Sequence, residues 1–192
     1  MQPRIPLPSP LDHSPFTRAA ALQAGIGANR LRGADLLRPF HGVRYPAAAE
    51  LDFEARCRAF ALRMPPSAFF NSITAARLQQ IPLPLDVEQA TTLHVAVPAP
   101  HHASAARGVR GHKVQLMGDD VRELRGLRVS TPTRLWCELA AELDLADLVA
   151  AGDYLIHWRW PLCSLLELQS AVERFPGRTG RARLRAATPS DR

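Results

Sequence analysis

Proline sets the scale of what this chain can build. It lacks the backbone N–H that a helix interior or central strand needs, and its ring clashes with the preceding turn. Seventeen prolines are spread over 192 residues. The opening "MQPRIPLPSPLDHSP" is too proline-rich for the apolar segment of a signal peptide and reads as a flexible or extended arm over residues 1–15. Pro65-Pro66 stops one helical pattern and "PLPL" stops the next. No apolar run approaches the roughly 20 residues that span a bilayer, so a soluble, cytoplasmic chain without a membrane partner is expected.

The pieces between these breaks alternate in type. "TRAAALQAG" predicts a short helix, capped by Ser14 or Thr17, with Gly25 at its left-handed stop. "ANRLRGADLL" predicts a second helix with Gly33 in its interior, at a cost on the order of 1 kcal/mol relative to alanine. "PFHGVRY" then reads as a hairpin turning at His41-Gly42. Leu51, Phe53, Cys57, Phe60, Ala61 and Met64 recur at helical spacing, and "SAFFNSITAARLQQI" starts another helix. "TTLHVAVPAP" alternates as a strand, "HHASAARGVRGH" as a polar loop, and "HKVQLM" and "GLRVST" as strands with "GDD" turning between them. From Pro132 onward the chain looks helical. Thr131 is the expected cap of "TPTRLWCELAAEL", followed by "DLADLVAAGDYLIHW", by "PLCSLLELQSAVERF" starting near Cys163 or Ser164, and by a last helix over 179–187. The expected architecture is α+β: a winged-helix-like module over 16–46, a helix-rich α/β domain with a small sheet over 50–175, and an arginine-rich tail over 176–192.

The stretch "GIGANRLRGADLLRPFHGVRY" carries the sharpest functional expectation. A helix-turn-helix needs a first helix, a break, and a second helix whose outer face meets the major groove. Here Leu22 and Ile26 would pack against Leu31, Leu36 and Leu37. Asn29, Arg30 and Arg32 would face outward, where asparagine suits adenine and arginine suits guanine and phosphate. Arg38 and Arg44 flank the hairpin as a wing. The net charge of +6 favours an anionic partner. The same segment also reads as two short helices packing beside a hairpin with no DNA in view. Lys113 is the only lysine, and arginine with alanine richness is what a GC-rich genome produces without functional demand.

Other candidates carry less. Cys57, Cys137 and Cys163 show no CxxC pairing and read as free thiols. His94, His101, His102 and His112 suggest a metal, yet adjacent histidines on a strand point apart, so a solvated loop and no metal are expected. Asp119-Asp120 reads as a turn and cap. Asp153 suits a structural bond, to backbone or to an arginine such as Arg134. Trp136 belongs to the core, whereas Trp158 and Trp160 flank Arg159 where an edge for a partner is conceivable. In the tail, Arg178, Arg181 and Arg183 suit phosphates as well as they suit a solvated helix face.

Taken in order, "AGIGANRLRGADLLRPFHGVRY", "RCRAFALRMPPSAFFNSITAARLQQIPLP", "LHVAVP", "GVRGHKV", "RVSTPTRLWCELA" and "LADLVAAGDYLI" resemble an actinobacterial family related to the AbiEi-type antitoxins of type IV toxin-antitoxin systems. The resemblance implies an N-terminal winged-helix-like segment before an α/β domain, DNA binding with autoregulation of the operon, and a nucleotidyltransferase toxin as partner. It places Arg30, Arg32, Arg38 and Arg44 on DNA and calls for no cofactor. Two motifs depart from the family: Ser72-Ile73 stands where relatives often have Ser-His, and Leu135-Trp136-Cys137-Glu138-Leu139 where they often have Thr-Trp-x-Asp-Leu. Many relatives continue into a nuclease-like domain similar to the very-short-patch repair endonuclease, about where "ATPSDR" stands here. That chemistry needs acidic residues and a lysine around a divalent metal. The expectation is therefore a non-catalytic regulator. The alternatives are a protein-interaction module holding a toxin or another copy of itself, and the remnant of a two-domain nuclease-like protein.

Overall fold

The computed structural model describes residues 6–9 and 11–188. The chain is a mixed α+β protein dividing into two compact units, Met1–Pro65 and Pro66–Arg192. The division falls at the proline pair and not near residues 46–50, so the helix expected to open the second domain belongs to the first unit.

The first unit begins with β1 (Phe16–Thr17) and runs directly into α1 (Arg18–Gln23). Thr17 is the N-cap, its hydroxyl accepting from the Ala20 N–H at 3.0 Å. Gly25 ends the helix at φ +80°, while the Ile26 N–H reaches back to the Ala21 carbonyl. Thr17→Ala is expected to destabilise this unit by about 1 kcal/mol, measurable as a lower urea midpoint with unchanged slope.

The second helix is not formed. Residues Arg30–Arg32 make a single 3-10 turn that ends at Gly33, and Leu36 and Leu37 leave as strand β2. The glycine break and the Arg30–Asp35 ion pair, Nη2 to Oδ2 at 2.7 Å, close the segment before a longer helix can propagate. A Cβ at Gly33 would sit 2.4 Å from Asp35 Oδ1. β2 (Leu36–Leu37) pairs with β3 (Val43–Pro46) around Gly42 at φ +77°, giving the expected hairpin and an antiparallel sheet of order β1-β3-β2. Phe16, Ala21, Leu31 and Leu36 form the core beneath it, with Leu7, Leu11 and Ile26 packed against them. The expected partners Leu22 and Leu37 instead remain 39% and 38% exposed. The arm is thus anchored through Leu7 and Leu11; residues 1–5 lie outside the described residues. α2 (Phe53–Ala61), capped by Asp52, buries Cys57, Ala59 and Phe60. Phe60 meets the Phe40 ring edge-on at 4.9 Å.

The second unit is built on a five-stranded sheet of order β6-β5-β4-β8-β7. Its strands are β4 (Phe69–Phe70), β5 (Leu93–Pro98), β6 (Val109–Val114), β7 (Val121–Leu124) and β8 (Leu127–Ser130). β5 is the strand its alternation predicts. β4 departs from expectation, since "SAFFN" predicts the start of a helix: Phe69 and Phe70 are fully buried between β5 and β8, a requirement that two residues cannot announce by period. β6 begins inside the stretch expected as loop, because its ladder with β5 is parallel from Leu93↔Val109 onward. β7 pairs with β8 across a tight turn at Arg125 and Gly126, both at positive φ.

Helices cover this sheet. α3 (Ser72–Leu78) follows β4 directly, α4 (Leu85–Glu88) is one short turn, and α5 (Pro132–Leu139) starts at the Thr131 and Pro132 signal. α6 (Leu145–Leu155) crosses α5 where Gly152 leaves room for the buried Trp136 indole, whose N–H donates to the Leu148 carbonyl at 2.8 Å. α7 (Leu165–Arg174) opens with a capping box between Ser164 and Glu167. α8 (Arg181–Ala187) buries Leu184 and Ala187, so the region expected as a tail is an integral helix through residue 187.

A buried polar knot ties α3, β8 and α5 together. Glu138 accepts from the Ser72 N–H at 3.0 Å, from the Ser130 hydroxyl at 2.8 Å and from Arg134 Nε at 2.8 Å. Arg134, 4% exposed, also donates to Asp120 Oδ2 at 2.8 Å and to the Gln115 carbonyl. Asp153, the alternative partner for Arg134, is exposed.

Candidate nucleic-acid interface

The basic side chains of the first unit fall into two groups. Arg30 and Arg44 serve the fold. Arg30 makes a two-point ion pair with Asp35, at 3.1 and 2.7 Å, with only 12% of its side chain exposed. Arg44 donates from Nε to the Leu31 carbonyl and from Nη1 to that of Val43, both at 2.9 Å. Neither guanidinium projects freely from a recognition helix, because no such helix exists. Asn29, Arg32 and Arg38 are exposed, and Arg38 Nη2 reaches the Arg32 carbonyl at 3.4 Å.

The structure adds Arg18, which spacing did not single out. It opens α1, and its backbone N–H donates to the Gly42 carbonyl at 2.7 Å, placing it beside the hairpin turn. Burial, and then the like charges of Arg38 and Arg18, hold the Arg44 guanidinium below its ordinary range. An arginine still stays charged in a protein. Burial accounts for most of the shift, and Arg38 and Arg18 add like charge beside Arg44 near the turn, where an anion would relieve their repulsion. Only the β1–β3 register, Phe16↔Arg44 and Thr17↔Val43, brings Arg18 there; no local sequence signal does.

The three tail arginines lie on the second unit. Arg178 and Arg181 are exposed. Arg183 sends Nη1 to the carbonyls of Ala140, at 2.9 Å, and Leu143, where it caps the end of α5. Its Nη1 thus clamps the end of α5, while the residue as a whole stays exposed like Arg178 and Arg181.

Among the described residues, no three His, Cys, Asp or Glu side chains gather as a metal site. His101 and His102 are exposed, whereas His94 and His112 stack with ring nitrogens 3.3 Å apart. Asp120 accepts from the Met117 N–H at 2.7 Å, the turn role expected of it. Cys57, Cys137 and Cys163 are free thiols. No helix among the described residues is long and apolar enough to cross a membrane.

Fold and surface together define a two-unit α+β protein with a cationic hairpin on its smaller unit. No family model matches the sequence, and no curated protein does. The chain is similar in structure to the crystal structure of the RV2827C protein from Mycobacterium tuberculosis, with TM-score 0.57 and 17% identity over 91% of this chain and 75% of that one. At that identity the likeness is one of fold.

Proposed function

We propose that this chain is a DNA-binding, transcription-regulator-like protein of the cytoplasm that acts without chemistry of its own. By its resemblance to the AbiEi-type antitoxins, it represses its own operon beside a toxin partner. The first unit is the reader: α1, the 3-10 turn and the β2–β3 hairpin stand in the order of a winged helix, with the hairpin as wing. The observation that supports this reading most is the placement of three arginines about one turn: Arg18 is hydrogen-bonded through its backbone N–H to Gly42, and Arg38 and Arg44 flank that turn in the β2–β3 hairpin. Uncompensated guanidinium groups at close range favour a phosphate backbone as counter-charge. With a single 3-10 turn in place of a recognition helix, backbone contact outweighs base reading. Asn29 and Arg32 are the residues available to touch base edges.

The test is fluorescence anisotropy with a labelled duplex from upstream of the gene, repeated at rising salt. Arg18→Ala/Arg38→Ala is expected to weaken binding at least about 10-fold and to make the salt slope shallower by about 2. Binding that ignores both substitutions would remove the hairpin from the interface. Absence of salt-dependent binding to any duplex would end the proposal.

The alternative reading, a protein-interaction module, draws on Trp158 and Trp160, 84% and 74% exposed, with Leu166 also bare. Large aromatics so exposed are uncommon away from contact surfaces. A pull-down with neighbouring gene products, compared between the wild type and Trp158→Ser/Trp160→Ser, separates the two readings.

A further inference from the structure

The last helix of the second unit is built against its own electrostatics. α8 opens at Arg181 with no acidic residue in its first turn, so a cation stands where the positive end of the helix dipole favours an anion. Arg181 and Arg185 lie four residues apart, one turn along the same face, where like charges repel. A glutamate at either position would suit the helix better on local grounds. Local rules broken within a well-packed element point to function, because folding alone gives no reason to keep the conflict.

Packing holds these charges in place. Leu184 and Ala187 are buried on the inner face of α8. Gly180, at φ +76°, brings the start of the helix so close to the end of α5 that a Cβ there would collide with the Ala140 carbonyl oxygen. Arg183 Nη1 donates to that same carbonyl at 2.9 Å. The Arg181 N–H donates to the Arg178 carbonyl at 3.3 Å, which sets Arg178 just ahead of the helix. Arg178, Arg181 and Arg185 therefore stand on a fixed support, all three exposed and none in an ion pair among the described residues.

The residues around them point to the partner. Over residues 66–174 acidic side chains outnumber basic ones by twelve to ten, whereas residues 175–188 hold four arginines and no acidic residue. A GC-rich genome raises arginine throughout a chain and does not strip carboxylates from one segment of it. From Gly177 to Thr188 the other residues are glycine, alanine, threonine and the buried Leu184. That stretch has no exposed aromatic ring to stack an unpaired base, no apolar anchor to enter a bilayer, and no large side chain to fill a protein pocket. Arginines on a smooth surface of small residues fit a duplex phosphate backbone, which guanidinium groups bond whatever the bases.

We infer that the α8 face of the second unit is a sequence-independent contact for the phosphate backbone of duplex DNA, made by Arg178, Arg181 and Arg185. The inference rests on the DNA reading for its partner, and its site uses none of the hairpin arginines.

Arg178→Gln/Arg181→Gln/Arg185→Gln in the full chain tests it, since glutamine keeps helix propensity and removes the charge. Fluorescence anisotropy compares the upstream duplex with an unrelated duplex of equal length, and cosedimentation measures binding to vesicles of phosphatidylserine and phosphatidylcholine. The expected result is a loss of at least about 10-fold for both duplexes alike at about 100 mM salt, with a salt slope shallower by about 3. The thermal midpoint should stay at or above that of the wild type, because the charge conflict in α8 is gone. Unchanged affinity and slope would overturn the assignment. So would a lowered midpoint, which makes the arginines structural, or binding to the vesicles and to neither duplex. Loss in this variant with full binding in Arg18→Ala/Arg38→Ala removes the hairpin and keeps α8; the opposite pattern keeps the hairpin and removes α8.

Discussion

Arg134→Met is expected to destabilise the second unit by about 3–5 kcal/mol, the cost of leaving buried charge without its counter-ion. Glu138 is buried, and burial raises its pKa while Arg134 opposes that rise. Without the guanidinium, the Glu138 and Asp120 carboxylates face each other's surroundings uncompensated, and the Gln115 carbonyl loses its donor. Protonating Glu138 relieves part of the excess charge, so the loss should ease as pH falls. Arg134→Met/Glu138→Gln should recover part of the stability, because the charge is removed while the Ser72 N–H and Ser130 hydroxyl keep an acceptor. Urea denaturation followed by tryptophan fluorescence measures this directly, since Trp136, Trp158 and Trp160 all lie in the second unit. A double variant no better than the single would show that packing of the side chain, and not its charge, holds the knot.

The second large effect is one of pH. Burial first, then the neighbouring His112 and, least, Arg110 lower the His94 pKa to about 4 from 6.5, while Glu142 pulls the other way. His112 is lowered as well, chiefly by burial. In the window between the folded and unfolded values, the unfolded chain binds more protons than the folded one. The histidine contribution to stability is therefore fully present above about pH 6.5 and falls as the pH drops toward 4, by on the order of 3 kcal/mol from His94. The physical event is charging of two stacked rings that share one hydrogen-bond contact between β5 and β6. Urea midpoints at pH 7.5 and 4.5, compared between wild type and His94→Asn, check it: the variant should show a flatter dependence. An equal slope in both would place the acid sensitivity in other groups.

The hairpin shows how much the sequence could say about the candidate interface. His41-Gly42 between Arg38 and Arg44 marks a turn by residue type alone, because glycine takes the positive φ such turns need. The recognition helix that the sequence predicts fails to form for an equally local reason. Arg30 and Leu31 have helical neighbours, but Gly33 weakens the turn and Asp35 captures Arg30, and that pairing is visible only once the chain has bent. Arg18 is the converse case, a residue with no signal in its own neighbourhood that strand register delivers to the turn.

What the sequence determined by itself is the set of local structures whose causes lie within a few residues. These are the caps at Thr17 and Ser164, the breaks at Pro65-Pro66, the strand at 93–98 and the helix beginning at Pro132. Tertiary structure alone decided β4, the parallel β6 and the Arg134 knot. Each of those joins residues far apart in the chain, and its free energy arises only when water is excluded from between them. A pattern read along the chain records period and propensity; it does not record which distant group will replace the water.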